Sequence, residues 1–279
     1  MTTHFKNKIE RINCPFDFTR TGRVGLNYAG MLAAALGARL TIFYVEPSIW
    51  PDELQLYEDR NDSTRGMRRL LKLEAADMEE RFGIEAEYAI EPTTNSIEVA
   101  VGSMSSDYDL IVMGTNGADE LYHEVFGVNT HHLLGLTRCP VLMIPRGYEL
   151  HIPKQMVYAY DSETDPDFLA RQLERLALPL EAYVRTLRVN RQENSEASIK
   201  IQLLGEILGV EGKDNFSWDF EPTYSDEAVS AVDQYMKDTG TDILALSYHH
   251  RELFEKLFRE NVVKKVSRIA DYPVLVFWH

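Results

Sequence analysis

The chain is poor in cysteine and has no long apolar run. Its 279 residues include only two cysteines, Cys14 and Cys139, which excludes a disulfide framework, and no Cys/His spacing suggests a structural zinc. No apolar stretch approaches the roughly 20 residues that a membrane helix needs. The first residues also lack the apolar segment of a secretory signal. We therefore expect a cytoplasmic protein with reduced, buried thiols and no membrane partner.

Basic residues are scarce in both halves of the chain. Lys and Arg total 29 against 44 Asp and Glu, which gives a formal net charge of −15. The deficit is even, with 14 basic and 21 acidic residues up to Gly147, and 15 and 23 after it. Nucleic-acid binding needs a basic surface that neutralises phosphates, so we expect no nucleic-acid partner. A small phosphate-bearing ligand stays compatible, because backbone N–H groups can bind phosphate.

Common catalytic and metal-binding signatures are missing too. The sequence has no Walker A motif, nucleophile elbow or His-Glu-x-x-His, and no Gly-x-Gly-x-x-Gly follows its first predicted strand. The adjacent histidine pairs 131–132 and 249–250 are poor metal sites, because neighbours on a helix point about 100° apart. We predict no catalytic residues and no metal site, and we interpret His249 and His250 as part of a solvated loop rather than of a pocket.

An internal repeat organises the chain. Asp109 opens the apolar run Leu-Ile-Val-Met, and Asp242 opens Ile-Leu-Ala-Leu 133 residues later. Cys139-Pro-Val-Leu and Tyr272-Pro-Val-Leu are separated by the same 133 residues. Weaker matches are Glu91-Pro92-Thr93 with Glu221-Pro222-Thr223, and 12–17 with 156–161. Four matches in one order indicate a duplication. They predict domains at 1–148 and 149–279, joined near 148–154.

Within the first copy, strand-like and helix-like segments alternate. The predicted strands are 11–17, 40–45, 84–90, 110–113 and 141–144. The predicted helices carry Val24, Tyr28, Met31 and Ala35, then Met67, Leu70, Leu71 and Met78, and then span 95–105 and about 119–136. Strands that alternate with helices imply a parallel sheet with right-handed crossovers. The predicted fold class is α/β, with two tandem doubly wound, Rossmann-like domains.

Three glycines fall where such a sheet binds ligands, beyond the carboxyl ends of its strands. Gly114 and Gly117 follow the strand that ends at Met113, and Gly127 comes after nine further residues. Glycine lets the backbone approach a ligand closely, and the N–H groups of such a loop can hold phosphate oxygens. This edge of the first domain is therefore the candidate binding site.

Together, Asp17, the run Asp109–Gly117, Gly127 and the segment Arg138–Pro145 resemble the universal stress protein family. The resemblance covers the first half closely, and the second half through its aspartate-strand and Pro-Val-Leu signatures. ATP-binding members of that family carry Gly-x-x-Gly, nine residues, and then Gly followed by Ser or Thr. The three glycines match this pattern, whereas Val128 stands in place of the hydroxyl residue. Thr130, two positions further on, offers a hydroxyl instead.

The resemblance implies a stress-response regulatory protein that binds ATP or AMP, with Mg²⁺ accompanying ATP. By the same resemblance, Asp17 and Val45 flank the adenine, Pro15 lines its pocket, and Met113 and Gly114 lie against the adenosine. The candidate cofactor-binding residues are Pro15, Asp17, Val45, Met113, Gly114, Gly117, Gly127, Val128, Asn129 and Thr130. Structural alternatives stay open, because Val45 and Met113 also suit a core and Asp17 also suits a helix cap.

The second copy lacks the glycines. The 133-residue offset places Ser247, His250 and Glu260 at their positions, and a carboxylate at Glu260 would repel phosphate. We expect this half to serve instead as an intramolecular pseudo-dimer partner, with 141–144 against 274–277, and a homodimer is a further expectation. The alternatives are a nucleotide-free scaffold, and an enzyme that hydrolyses ATP slowly. The segment 114–130 has no Lys or Arg to position phosphates, which argues against efficient hydrolysis.

Overall fold

The computed structural model describes residues 8–47, 60–93, 96–115, 130–160, 166–189, 220–223, 228–247 and 272–277. The chain divides into two compact units. One, here called the first unit, comprises Glu10–Asn116 and Glu120–Arg146, and the second unit comprises Met1–Ile9, Gly117–Asp119 and Gly147–His279. Domain limits at 1–148 and 149–279, and the pairing through the last strands, stay predictions.

The first unit is a five-stranded parallel sheet with order β3-β2-β1-β4-β5. Its elements are β1 (Arg11–Pro15), α1 (Arg20–Leu36), β2 (Arg39–Pro47), α2 (Arg60–Phe82), β3 (Ala86–Thr93), α3 (Ile97–Met104), a 3₁₀ turn (Ser105–Asp107), β4 (Leu110–Thr115), α4 (Thr130–Leu136) and β5 (Val141–Pro145). All five predicted strands are present. Of the helix predicted over about 119–136, the part up to 129 lies outside the described residues.

The second unit repeats this arrangement, with strand order β8-β7-β6-β9-β10 and every pair parallel. Its elements are β6 (Gln155–Tyr160), α5 (Pro166–Leu180), β7 (Tyr183–Val189), β8 (Phe220–Thr223), α6 (Ala228–Thr239), β9 (Ile243–Ser247) and β10 (Val274–Phe277). The predicted fold class, two tandem doubly wound α/β domains, is confirmed.

The duplication extends to the register of the strands. Ile12 lies opposite Leu110 in the first unit, and Met156 lies opposite Ile243 in the second. These are the residues that the 144- and 133-residue offsets relate. Because a slip of one residue would turn every side chain to the other face, matching registers mean that both cores are built on one plan.

The repeated aspartates explain part of that plan. Asp109 Oδ2 accepts hydrogen bonds from the backbone N–H groups of Glu10 (2.9 Å) and Arg11 (3.1 Å). Asp242 Oδ2 accepts from those of Lys154 (2.7 Å) and Gln155 (2.9 Å). In each unit a carboxylate at the start of the fourth strand thus holds the start of the first strand through charge-assisted bonds. We call this pair of contacts the aspartate clamp.

Helix α1 begins and ends with the expected signals, but its buried face differs from the prediction. Thr19 caps it by accepting from Gly22 N–H at 3.0 Å, and Gly37, with φ 62°, ends it. Of the predicted apolar positions only Tyr28 is buried, whereas Val24, Met31 and Ala35 are half-buried. The buried face instead consists largely of small residues and leucines: Gly22, Gly25, Leu26, Ala29, Leu32 and Ala33. Small residues register weakly as apolar, so the prediction placed the face wrongly.

The two cysteines fulfil the expectation of buried thiols. Cys14, on β1, and Cys139, just before β5, are both free and buried. Burial, and then the negative charge of Asp17, raise the pKa of the Cys14 thiol. Within the part of the chain that the structure describes, no helix has the length and apolarity to cross a membrane.

Candidate functional site

The strand order of the first unit reverses between β1 and β4. From β1 the chain moves outward to β2 and β3, and it then returns to β4 and moves out on the other side. Ligands of such sheets bind in the crevice beyond the carboxyl ends of the strands at this reversal. Residues 15–17 and 113–115 lie there, which places five of the predicted site residues, Val45 on neighbouring β2 included, at one edge of the sheet.

Asp17 lies two residues beyond the end of β1 rather than within the strand. Its Oδ1 accepts hydrogen bonds from the Thr19 N–H (2.9 Å) and from the Thr19 hydroxyl (2.6 Å). Thr19 is the residue that caps α1, so Asp17 supports the cap without being the cap itself. The half-buried carboxylate therefore has a structural task in addition to any contact with a ligand.

Gly114 is required by the packing of α1 against β4. A Cβ atom on Gly114 would overlap the carbonyl oxygen of Thr21, and one on Gly25 would overlap the backbone nitrogen of Gly114. The first turns of α1 and the end of β4 thus approach backbone to backbone. The space beside Gly114 on this side is filled by the helix, and the fold alone accounts for a glycine at this position.

The other predicted adenosine contacts differ in their exposure. Met113 is only 1% exposed and lies opposite Met143 of β5, so it is a core residue. Pro15 is buried at the end of β1, opposite Phe43. Val45 is half-buried near the end of β2. Of the three, Val45 is therefore the most accessible to a ligand at this edge.

Sequence reasoning missed three aromatic residues beside Asp17. The ring centroids of Phe16 and Phe18 lie 4.7 Å apart, and those of Phe18 and Tyr44 lie 6.0 Å apart. Phe18 has φ 63°, which is rare for a bulky residue. The available signal was the occurrence of aromatic residues just beyond β1 and near the end of β2. No periodicity reveals the backbone conformation.

The charge around Asp17 is negative. Burial raises the pKa of Tyr44, and Glu46 and Asp17 raise it further. The nearest described cation, Arg23, is bound by both carboxylate oxygens of Glu74, with 2.7 Å between Nη2 and Oε1, and this hydrogen bonding raises its pKa. An anionic phosphate gains nothing from this side of the edge. The phosphates of a nucleotide would belong on the side of the glycine segment.

Several predicted residues lie outside the described part of the chain. These are Gly117, Gly127, Val128 and Asn129 in the first half, and His249, His250 and Glu260 in the second. Thr130 is the first residue of α4, which also includes His131 and His132, and Ser247 ends β9.

A cavity of about 580 Å³ lies at the opposite edge of the first unit. It is lined by the starts of β1 and β2, among them Arg11 and Arg39, and by the ends of α1 and α2 at Gly37 and Phe82. Ligand sites of open α/β sheets lie at the carboxyl edge, so the cavity does not mark the candidate site.

Comparison with known proteins gives one family. A sequence model of the universal stress protein family matches residues 8–145. A universal stress protein from Archaeoglobus fulgidus has a similar structure, with a TM-score of 0.70 and 15% identity over 96% of this chain and 98% of that chain. A functionally unknown protein from Pseudomonas aeruginosa has a TM-score of 0.56 and 13% identity, over 98% and 93% of the two chains.

The same fold also occurs in a different setting. The cytoplasmic domain of a prokaryotic cation chloride cotransporter has a TM-score of 0.50 and 9% identity, over 96% of this chain and 95% of that chain. No curated protein matches the sequence significantly. At these identities the structural similarities establish the fold, and the function has to be argued from the site.

Proposed function

Residues 8–145 belong to the universal stress protein family, and we propose that the chain is a regulatory protein that binds an adenine nucleotide, ATP or AMP, in its first unit. The observation that carries this proposal is the strand reversal between β1 and β4, with Pro15, Asp17, Met113 and Gly114 at its carboxyl edge. This is where nucleotides bind to sheets of this class. Binding would change the conformation or the partner of the protein, and this change would be its output.

The two sides of the edge suit the two ends of a nucleotide. The side of Asp17, Val45 and Tyr44 is half-buried and negatively charged, which suits a neutral base and disfavours phosphate. The glycine segment that begins at Gly114 supplies backbone N–H groups for phosphates, and the sequence 114–130 contains no basic residue. The nucleotide would therefore be held with its base towards β1 and β2. Hydrolysis would be slow at most.

The proposal is tested by mass spectrometry of small molecules released from the heat-denatured protein, together with calorimetric titration of ATP and AMP. We expect co-purified or added nucleotide to bind the wild-type chain. Gly117→Glu should weaken the affinity for ATP by about 100-fold or more, because it puts a carboxylate where phosphates are expected. The matched control is His250→Glu, the position 133 residues later, and it should leave binding unchanged. A wild-type chain that binds neither nucleotide would contradict the proposal.

A specific observation favours a second candidate, a nucleotide-free scaffold of the same fold. Asp17 and Gly114 both have structural tasks, one at the start of α1 and the other in the packing of β4. Their presence therefore does not require a ligand. A protein that releases no nucleotide and ignores added ATP and AMP would fit this candidate.

A further inference from the structure

Phe18 has an unusual backbone conformation at the candidate site. Among the described residues, only Phe18 (φ 63°) and Glu181 (φ 51°) combine a side chain with positive φ. Glu181 directly follows the end of α5, where left-handed residues commonly end helices. Phe18 instead lies between the end of β1 and the start of α1, where no such rule applies. Unfavourable backbone conformations of this kind cluster at ligand sites.

The neighbours of Phe18 hold it in this conformation. The two hydrogen bonds between Asp17 Oδ1 and Thr19 span the residue, and its ring packs between those of Phe16 and Tyr44. Phe16 is buried at 2% exposure, whereas Phe18 and Tyr44 are half-buried. We call these three side chains the aromatic shelf. It lies at the carboxyl ends of β1 and β2, next to Val45.

The second unit shows that the fold does not require the shelf. The 144-residue offset that relates β1 and β2 to β6 and β7 places Tyr160, Ser162 and Arg188 at the three positions. Strand order and register are nevertheless the same in both units. The half of the chain that lacks the shelf also lacks the three glycines. Two features that are dispensable for the fold and absent together point to a shared ligand.

We propose that Phe18 and Tyr44 form a stacking surface for the base of the nucleotide, so that the first unit recognises its ligand through a planar ring. This inference rests on the proposed function. Aromatic faces bind planar rings through dispersion and offset stacking. The negative charge of Asp17 and Glu46 keeps phosphate away from the shelf and leaves it to the uncharged end of the ligand.

The test separates the ring from the phosphates. Calorimetric titrations with adenosine and with inorganic tripolyphosphate are carried out on the wild-type chain, Phe18→Gly and Phe18→Ala. Glycine adopts positive φ freely, so Phe18→Gly removes the ring without strain, and circular dichroism verifies that it folds. Tyr88→Ala is the control, because Tyr88 is an exposed aromatic residue within β3, away from the shelf.

We expect both Phe18 variants to bind adenosine about 10- to 100-fold more weakly, the usual loss for a removed stacking partner. Affinity for tripolyphosphate should be unchanged, and Tyr88→Ala should match the wild type. Adenosine affinity that is equal in the wild type and both Phe18 variants overturns the stacking role and leaves the proposed function standing. Equal losses for adenosine and tripolyphosphate also overturn it. A wild-type chain that binds neither adenosine nor nucleotide overturns both proposals.

Discussion

The first and second units share the contacts that build a sheet and differ in those that would hold a ligand. In both units a clamping aspartate, Asp109 or Asp242, holds the start of the first strand, and the registers of equivalent strands agree. At the carboxyl edge the agreement ends. Gly25 and Gly114 touch backbone to backbone in the first unit, and the offsets place Leu169 and Ser247 at their positions in the second.

This difference indicates which residues the fold constrains. Clamp and register are retained in both units because each fixes a buried backbone that has no alternative partner. The edge residues vary because a sheet can close its carboxyl end with many side chains. Features found in the first unit alone are therefore the ones to assign to a ligand. Features common to both units belong to folding.

The strongest way to break this comparison is to add a side chain to the close contact between α1 and β4. Gly114→Val would place a Cβ against the carbonyl oxygen of Thr21, and we expect a loss of about 3 kcal/mol in the free energy of unfolding. Urea denaturation followed by circular dichroism measures this. Ser247→Gly, the corresponding change in the second unit, should cost about 1 kcal/mol or less. Equal effects at the two positions would mean that the units pack alike at this edge.

The aspartate clamp offers the opposite test, in which the two units should behave alike. Asp109→Ala and Asp242→Ala each remove a carboxylate that accepts two backbone N–H groups, and each should cost about 2 kcal/mol of unfolding free energy. Asp109→Asn is the matched control, because its amide oxygen can still accept and the loss should be smaller. Hydrogen exchange at residues 10–11 and 154–155 locates the effect. Fast exchange in one unit only would contradict a common clamp.

A smaller effect should appear at alkaline pH. Cys14 is buried in β1, and the residue 144 positions later is the buried Tyr158. Burial, and then Asp17, raise the pKa of the Cys14 thiol, so the folded chain keeps a proton that the unfolded chain loses above about pH 8.5. The unfolded state then binds fewer protons. Stability should therefore fall as pH rises, by about 1.4 kcal/mol per pH unit from this group.

Removing the thiol isolates that contribution. Cys14→Ala should lower stability at neutral pH through the cavity that it leaves, yet its decline between about pH 8.5 and 10 should be shallower by about one proton. Urea denaturation at several pH values measures both slopes. Parallel curves for the wild type and the variant would show that the Cys14 thiol ionises equally in both states.

The sequence predicted much of the fold because the relevant signals are local. Alternating apolar segments located the strands of the first unit, and the repeated aspartates marked the start of β4 and β9. The role of those aspartates as clamps was not predicted, because their partners are about a hundred positions away in the chain. Gly37 was read correctly as the end of α1, since a left-handed glycine is a local signal.

The site was harder to predict because its contacts join distant segments. Gly114 was interpreted as a ligand-approach glycine, although it also packs against Thr21. The signal for this packing was the glycines within α1, Gly22 and Gly25, which cost helix stability unless a neighbour comes close. The conformation of Phe18 depends on Asp17, Thr19 and Tyr44 together, and no spacing encodes such a combination.

The clamp also has a consequence for how the chain is made. Glu10 and Asp109 are 99 residues apart, and β1 pairs on one side with the strand that Asp109 opens. At a synthesis rate of about 5–20 residues per second, β1 leaves the ribosome about 5–20 s before that neighbour does. Throughout this interval a central, apolar strand has one bare edge, which is the state that chaperones recognise. The second unit repeats the delay, with 88 residues between Lys154 and Asp242.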